Sequence, residues 1–129
     1  MGAWSPQLAL VMAGGALGAG LRFWLGDALL RQLGERLPWG TLAANLAGAF
    51  AVGLLAEWLQ DRGSQAPYWR AFLIVGVLGA LTTYSSLVLE MLLFARGGRG
   101  GTALAYLAIT LVAGLALVWA GARLGAMLR

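Results

Sequence analysis

The sequence contains no cysteine, no histidine and no lysine. Disulfides, thiolate zinc sites and imidazole acid–base catalysis are therefore excluded outright. Charge is also scarce: 11% of the residues are charged, against roughly 25% in a soluble domain. The few carboxylates form no pair, and no nucleophile–base arrangement or metal-ligand spacing appears, so nothing points to an enzyme. The glycine-rich "RGGRGG" run (Arg96–Gly101) lacks the lysine and the preceding strand of a phosphate loop. A net charge of +4 suggests a nucleic-acid binder at first sight. The basic residues, all arginine, are scattered at the ends of apolar runs with no basic stripe, and nucleic acid is not an expected partner.

What remains is apolar. Hydrophobic residues make up 60% of the chain, and the mean hydropathy is +0.79. Uncharged runs lie between Arg36 and Glu57, between Arg70 and Glu90, and between Arg99 and Arg123. Each is close to the ~20 residues that cross a hydrocarbon core of roughly 30 Å. A fourth run starts near Ser5, where a serine cap precedes a proline harmless at the first helical position. It continues past Arg22, and three further spans follow it, so it reads as a first helix and not as a cleaved signal. The spacing predicts an all-α membrane protein with helices over about 5–30, 39–60, 68–95 and 102–128, forming one transmembrane domain over 1–129. Trp4, Trp39, Trp58, Trp69 and Trp119 fall near span ends, at headgroup level. Gly14 and Gly18 form a GxxxG and, with Gly48, Gly53, Gly76, Gly79 and Gly114, would let helices approach closely.

Arginine placement bears on orientation. One side of such a bundle carries Arg62, Arg70, Arg123 and Arg129; the other carries Arg31, Arg36, Arg96 and Arg99. Arginine bias normally fixes topology, so a tie predicts insertion both ways up. Two oppositely inserted copies then form an antiparallel homodimer about an axis in the membrane plane.

Several polar residues fall inside the spans, where a charge costs about 2.5–3.5 kcal/mol even on lenient scales. Arg22 and Asp27 are five apart, a poor spacing for mutual pairing on one helix face, and Arg22 is free to snorkel to the interface. Glu90 lies near a span end. Asn45 sits mid-span, where its amide either glues helices or donates to a passing solute. Tyr106 and Thr110 are four apart and share a face of the fourth helix, as a polar track or a bridge to a neighbour. The stretch "GALTTYSSLVLE" (Gly79–Glu90) crowds Thr82, Thr83, Tyr84, Ser85 and Ser86 behind two glycines. It predicts a break in the third helix, since threonine and glycine are mediocre helix formers. Carbonyls freed at that depth need a buried partner such as a cation, or a water-filled cavity. In an inverted dimer the two breaks meet at the midplane as a small oxygen cage, without selecting which ion fills it.

The runs "GGALGAGLRFWLG", "GTLAANLAGAFAVG" and "GVLGALTTYSSLVLE" together resemble, over essentially the whole chain, the fluoride channels of the Fluc/CrcB family. The resemblance implies a passive fluoride channel in a prokaryotic inner or plasma membrane, working as a dual-topology antiparallel homodimer with two pores. It implies a structural sodium ion at the dimer centre, bound by backbone carbonyls of Gly79 and Thr82 and their twins. Asn45 would donate to fluoride, Arg22 would lie near the vestibule, and Thr83, Tyr84, Ser85, Ser86, Tyr106 and Thr110 would line the pore. Glu90 matches the acidic residue that follows the aromatic motif. Two departures stand out: the family's paired phenylalanines are Tyr84 and Leu87 here, and Gly114 replaces a frequent track hydroxyl. A proton-coupled exporter of the small multidrug-resistance type is the alternative. It shares four helices and dual topology but rests on a glutamate in the first helix, which this sequence lacks.

Overall fold

The computed structural model describes residues 4–129. Among them there is no strand, and four helical stretches are long and apolar enough to cross a membrane. The first span is one helix, Trp4–Leu33, and the second is Trp39–Trp58. The fourth is Gly100–Leu128. The third, Gly63–Arg96, is composite. It opens with a 3-10 turn at Gly63–Gln65 and an α-turn at Ala66–Trp69, widens to a π-helix over Arg70–Leu78, and returns to α over Gly79–Leu81. After two extended residues it resumes as an α-helix at Tyr84–Arg96.

Punctuation explains these limits. Gly34 adopts φ +81° and its N–H reaches the Leu30 carbonyl at 2.9 Å, a left-handed stop that lets the first helix run on to Leu33. Gly98, at φ +74°, closes the third span by a related stop, in which the Arg99 N–H reaches the Phe94 carbonyl at 2.7 Å. Pro67 falls in the first α-turn of the third span, where its missing N–H breaks no helical bond.

The first span packs mainly on the third, and the second mainly on the fourth. The buried seam holds Ala44, Leu78 and Leu81, with Leu25, Ala51, Val52 and Leu55 against it. Lipid tails are as apolar as leucine, so close backbone approach, not burial of large side chains, must hold such a bundle. Gly14 and Gly18 are both buried, and a Cβ on either would meet backbone of the third span, at Phe72 and Val77. On the other seam Gly121 lies against the Phe50 carbonyl of the second span. Gly114 does not take part: nothing lies within 4 Å of the point its Cβ would occupy.

These contacts reverse the usual helix preference. Exchanging glycine for alanine in a helix ordinarily stabilises by up to ~1 kcal/mol. Gly15→Ala, with open space around it, is expected to follow that rule. Gly18→Ala is expected to lower the midpoint of thermal unfolding in detergent, because the added methyl must push the Val77 carbonyl aside.

Candidate functional site

The break is written by three side chains. Thr82 donates its hydroxyl and its N–H to the same Leu78 carbonyl, at 2.8 and 3.0 Å, and so ends the helix behind it. Its own backbone is extended at φ −82°, ψ 154°, and Thr83 follows at φ −150°, ψ 125°. Thr83 then serves as the N-cap of the second half, its Oγ1 accepting the Ser86 N–H at 3.1 Å. Asn45, from the middle of the second span, fastens the break at two points. Its Oδ1 accepts the Thr83 N–H at 2.7 Å, and its Nδ2 donates to the Thr83 carbonyl at 3.1 Å.

These bonds change what the neighbouring carbonyls can do. In an unbroken helix the Thr83 N–H would serve the Gly79 carbonyl, and the Ser86 N–H would serve that of Thr82. Both donors point at side-chain oxygens instead, on Asn45 and on Thr83. Gly79 and Thr82 therefore carry carbonyls released from the helical ladder. Between them, the Ala80 carbonyl accepts from Arg22 Nε at 3.0 Å. Arg22 thus reaches across to the break and does not snorkel away from it.

The hydroxyl residues of the Gly79–Glu90 stretch divide. Tyr84 projects outward, 78% exposed, while Leu87 is 7% exposed and packed inside the bundle. Ser85 is exposed, with its Oγ 3.3 Å from that of Thr83, and Ser86 is half-buried.

A second cluster lies two turns further along the third span. Glu90 accepts from the Thr41 hydroxyl at 2.6 Å and from the Tyr106 hydroxyl at 2.7 Å. Tyr106 is 5% exposed. Thr110 bonds back to the Tyr106 carbonyl at 2.8 Å, on the same helix face. The Phe94 ring meets Tyr106 edge-on, with centroids 6.1 Å apart and planes at 80°. Glu90 and Thr41 were not among the expected site residues. A signal existed for Thr41: it precedes Asn45 by one turn and Gly48 follows, so one face of the second span carries both polar groups that grip the third.

Two cavities adjoin these groups. One, of about 560 Å³ between the first and second spans, is lined by Arg22, Asp27 and Thr41 among others. The other, about 190 Å³, reaches Thr41 and Glu90 from the loop at Gly34 and Leu37. They share Gly26, Leu30, Gly40 and Thr41 as walls. Among the described residues no group of three or more histidine, cysteine or acidic side chains could hold a metal.

Residues 9–122 match the family described as CrcB-like protein, Camphor Resistance (CrcB). The chain belongs to this family. Among its relatives, a Fluoride-specific ion channel FluC of Xanthomonas axonopodis pv. citri is 56% identical over 122 residues, covering 95% of this chain and 92% of that one. A protein of the same name from Xylella fastidiosa (strain 9a5c) is 54% identical, covering 95% and 86%. Another, from Agrobacterium fabrum, is 43% identical, covering 92% and 95%. Four spans and this membership make the CrcB-like chain a multi-pass bacterial membrane protein. The relatives named as fluoride channels favour a channel over the small multidrug-resistance alternative.

The hydrogen bonds give a direct test of the second cluster. A double-mutant cycle of Glu90→Gln and Tyr106→Phe, followed by thermal unfolding, is expected to return a coupling energy of about 1–3 kcal/mol, as for a hydrogen bond to a carboxylate. The pair Glu90→Gln and Thr110→Ala, which share no bond, is expected to be additive.

Proposed function

We propose that the protein is a channel, not an enzyme, that lets fluoride leave the cell passively, working as an antiparallel homodimer with two pores and a structural sodium between the copies. The observation that carries the reading is the likeness, over 95% of the chain at 56% identity, to a protein named as a fluoride-specific ion channel. The geometry supplies a mechanism that suits the ion.

Fluoride is small and tightly hydrated, so a pore must replace its water with hydrogen-bond donors at every step without trapping it. The lining proposed for that purpose is polar and almost uncharged. Asn45 has one amide hydrogen on the Thr83 carbonyl, which leaves its second for the anion. Thr83, Ser85 and Ser86 offer hydroxyls beside it. Tyr84 offers an electropositive ring edge and its own O–H, and its exposed position suits a ring that completes a pore with a second copy. Leu87 faces the protomer interior and adds no aromatic station. On the fourth helix Tyr106 and Thr110 continue the path; each hydroxyl must turn from Glu90 or the Tyr106 carbonyl to serve an ion. Arg22, in the wall of the wider cavity, draws anions to the mouth while its Nε stays on Ala80.

Gly79 and Thr82 fit a sodium site on one specific ground: theirs are the carbonyls whose helical donors are engaged elsewhere. A hard cation bound there supplies positive charge where main-chain oxygens would otherwise face one another. The even arginine count on the two sides, four and four, supports the inverted pairing that would bring two such sets together.

The deciding measurement is an ion-selective electrode trace from liposomes containing the purified protein. Fluoride efflux that is blind to an imposed proton gradient, with no chloride efflux in the control, is expected. Asn45→Asp keeps an acceptor for the Thr83 N–H but places a carboxylate on the path, and is expected to cut efflux at least tenfold. Proton-coupled movement, or equal chloride flux, would overturn the reading.

A further inference from the structure

The wider cavity has two charged side chains in its wall, and they oppose each other. Arg22 favours an anion; Asp27, on the same helix, repels one. Asp27 is 46% exposed, so its carboxylate is not hidden from the entrance by packing. It is instead held by Arg31, one turn on, whose Nε lies 3.0 Å from Oδ2. Arg31 does not line the cavity, and its side chain is 77% exposed. Such a surface pair contributes little to stability. Its effect on the potential of the cavity is another matter, because a cleft with low-dielectric walls focuses the field of the charges at its mouth.

The neighbouring carboxylate underlines the point. Glu90, beyond the shared wall at Thr41, has its oxygens occupied by two hydroxyls. Asp27 has no such hydroxyl pair among the described bonds, and Arg31 alone offsets its charge. Without Arg31 the charges of Arg22 and Asp27 cancel at the cavity; with it, one positive charge is left over.

Resting on the channel reading above, we infer that Arg31 is a charge-compensating residue for anion entry: by pairing with Asp27 it keeps the Arg22 cavity net positive, without itself touching the ion. The sequence pattern alone makes Arg31 a loop-end arginine like any other; its placement on Asp27 sets it apart.

The experiment is fluoride efflux from liposomes containing the full-length protein, at low and at high ionic strength set with an impermeant potassium salt. Arg31→Gln is expected to slow efflux about two- to tenfold at low ionic strength, the size set by one unit charge across a partly hydrated mouth. The deficit is expected to shrink as salt screens the bare carboxylate. Arg31→Lys, which keeps the charge, and the double variant Asp27→Asn/Arg31→Gln, which removes the need for it, are expected to stay within about twofold of the parent. Arg31→Gln at the parent rate would overturn the inference. So would a deficit that persists in the double variant or does not respond to salt, since either marks a structural lesion. A parent protein that passes no fluoride overturns the channel reading, and this inference with it; a conducting parent with an equally fast Arg31→Gln overturns the inference alone.

Discussion

Everything distinctive in this molecule follows from one constraint: main-chain N–H and C=O groups inside a membrane must find partners within the protein, since lipid offers none. The third span violates helical pairing at Thr82 and Thr83, at a depth where each unsatisfied group costs several kcal/mol. The protein answers with side chains aimed at individual backbone atoms. Asn45 takes both polar groups of Thr83, Thr83 takes the Ser86 N–H, and Arg22 takes the Ala80 carbonyl. The residues that looked anomalous in an apolar sequence are those that make the break affordable in energy. Their arrangement also leaves the carbonyls of Gly79 and Thr82, among others at the break, without their helical donors.

The same geometry shows Asn45 joining two spans, and it leaves one amide hydrogen outside those bonds. Glue and donor are not exclusive roles for an amide. Its oxygen and one hydrogen are fixed on the Thr83 backbone, which holds the remaining hydrogen in a set direction at no further entropic cost. A donor anchored in this way is pre-organised, and an ion that must give up water gains most from donors that need no rearrangement.

Span number and the site of the break were legible in the sequence because both rest on local chemistry. Long uncharged runs report the membrane, and a Thr-Thr pair behind two glycines reports weak helix. The π-helix at Arg70–Leu78, which packs against the first span, was not legible, because nothing in "RAFLIVGVL" distinguishes wide from ordinary turns. The Glu90 cluster was hidden for a related reason. Its three members come from three different spans, and Thr41 and Tyr106 are 49 and 16 residues from Glu90 along the chain. A glutamate near a helix end looks like a solvated charge until the helices opposite it are placed. Nor was it legible that Tyr84 is exposed while Leu87, three residues on in the same helix and near the same face, is buried; what covers each is decided by the neighbouring spans.

Charge placement completes the picture of a protein built for a small anion. Of the five acidic residues, Asp27 and Glu90 border the two cavities that share Thr41 as a wall, and neither stands bare. Glu90 is satisfied by hydroxyls, which keep the region free of a second cation; Asp27 is satisfied by an arginine at the surface, where water weakens the field. That gradient has a physical logic. A guanidinium deep in the path would hold fluoride too tightly to release it, whereas one at the entrance raises local anion concentration and leaves the narrow region to weaker, neutral donors. Removing the acids altogether would simplify the electrostatics but leave Tyr106 and Thr41 without the acceptor that now orients them. The Glu90 carboxylate is thus an orienting acceptor: it fixes the Thr41 and Tyr106 hydroxyls, each of which has a single proton and directs it at Glu90.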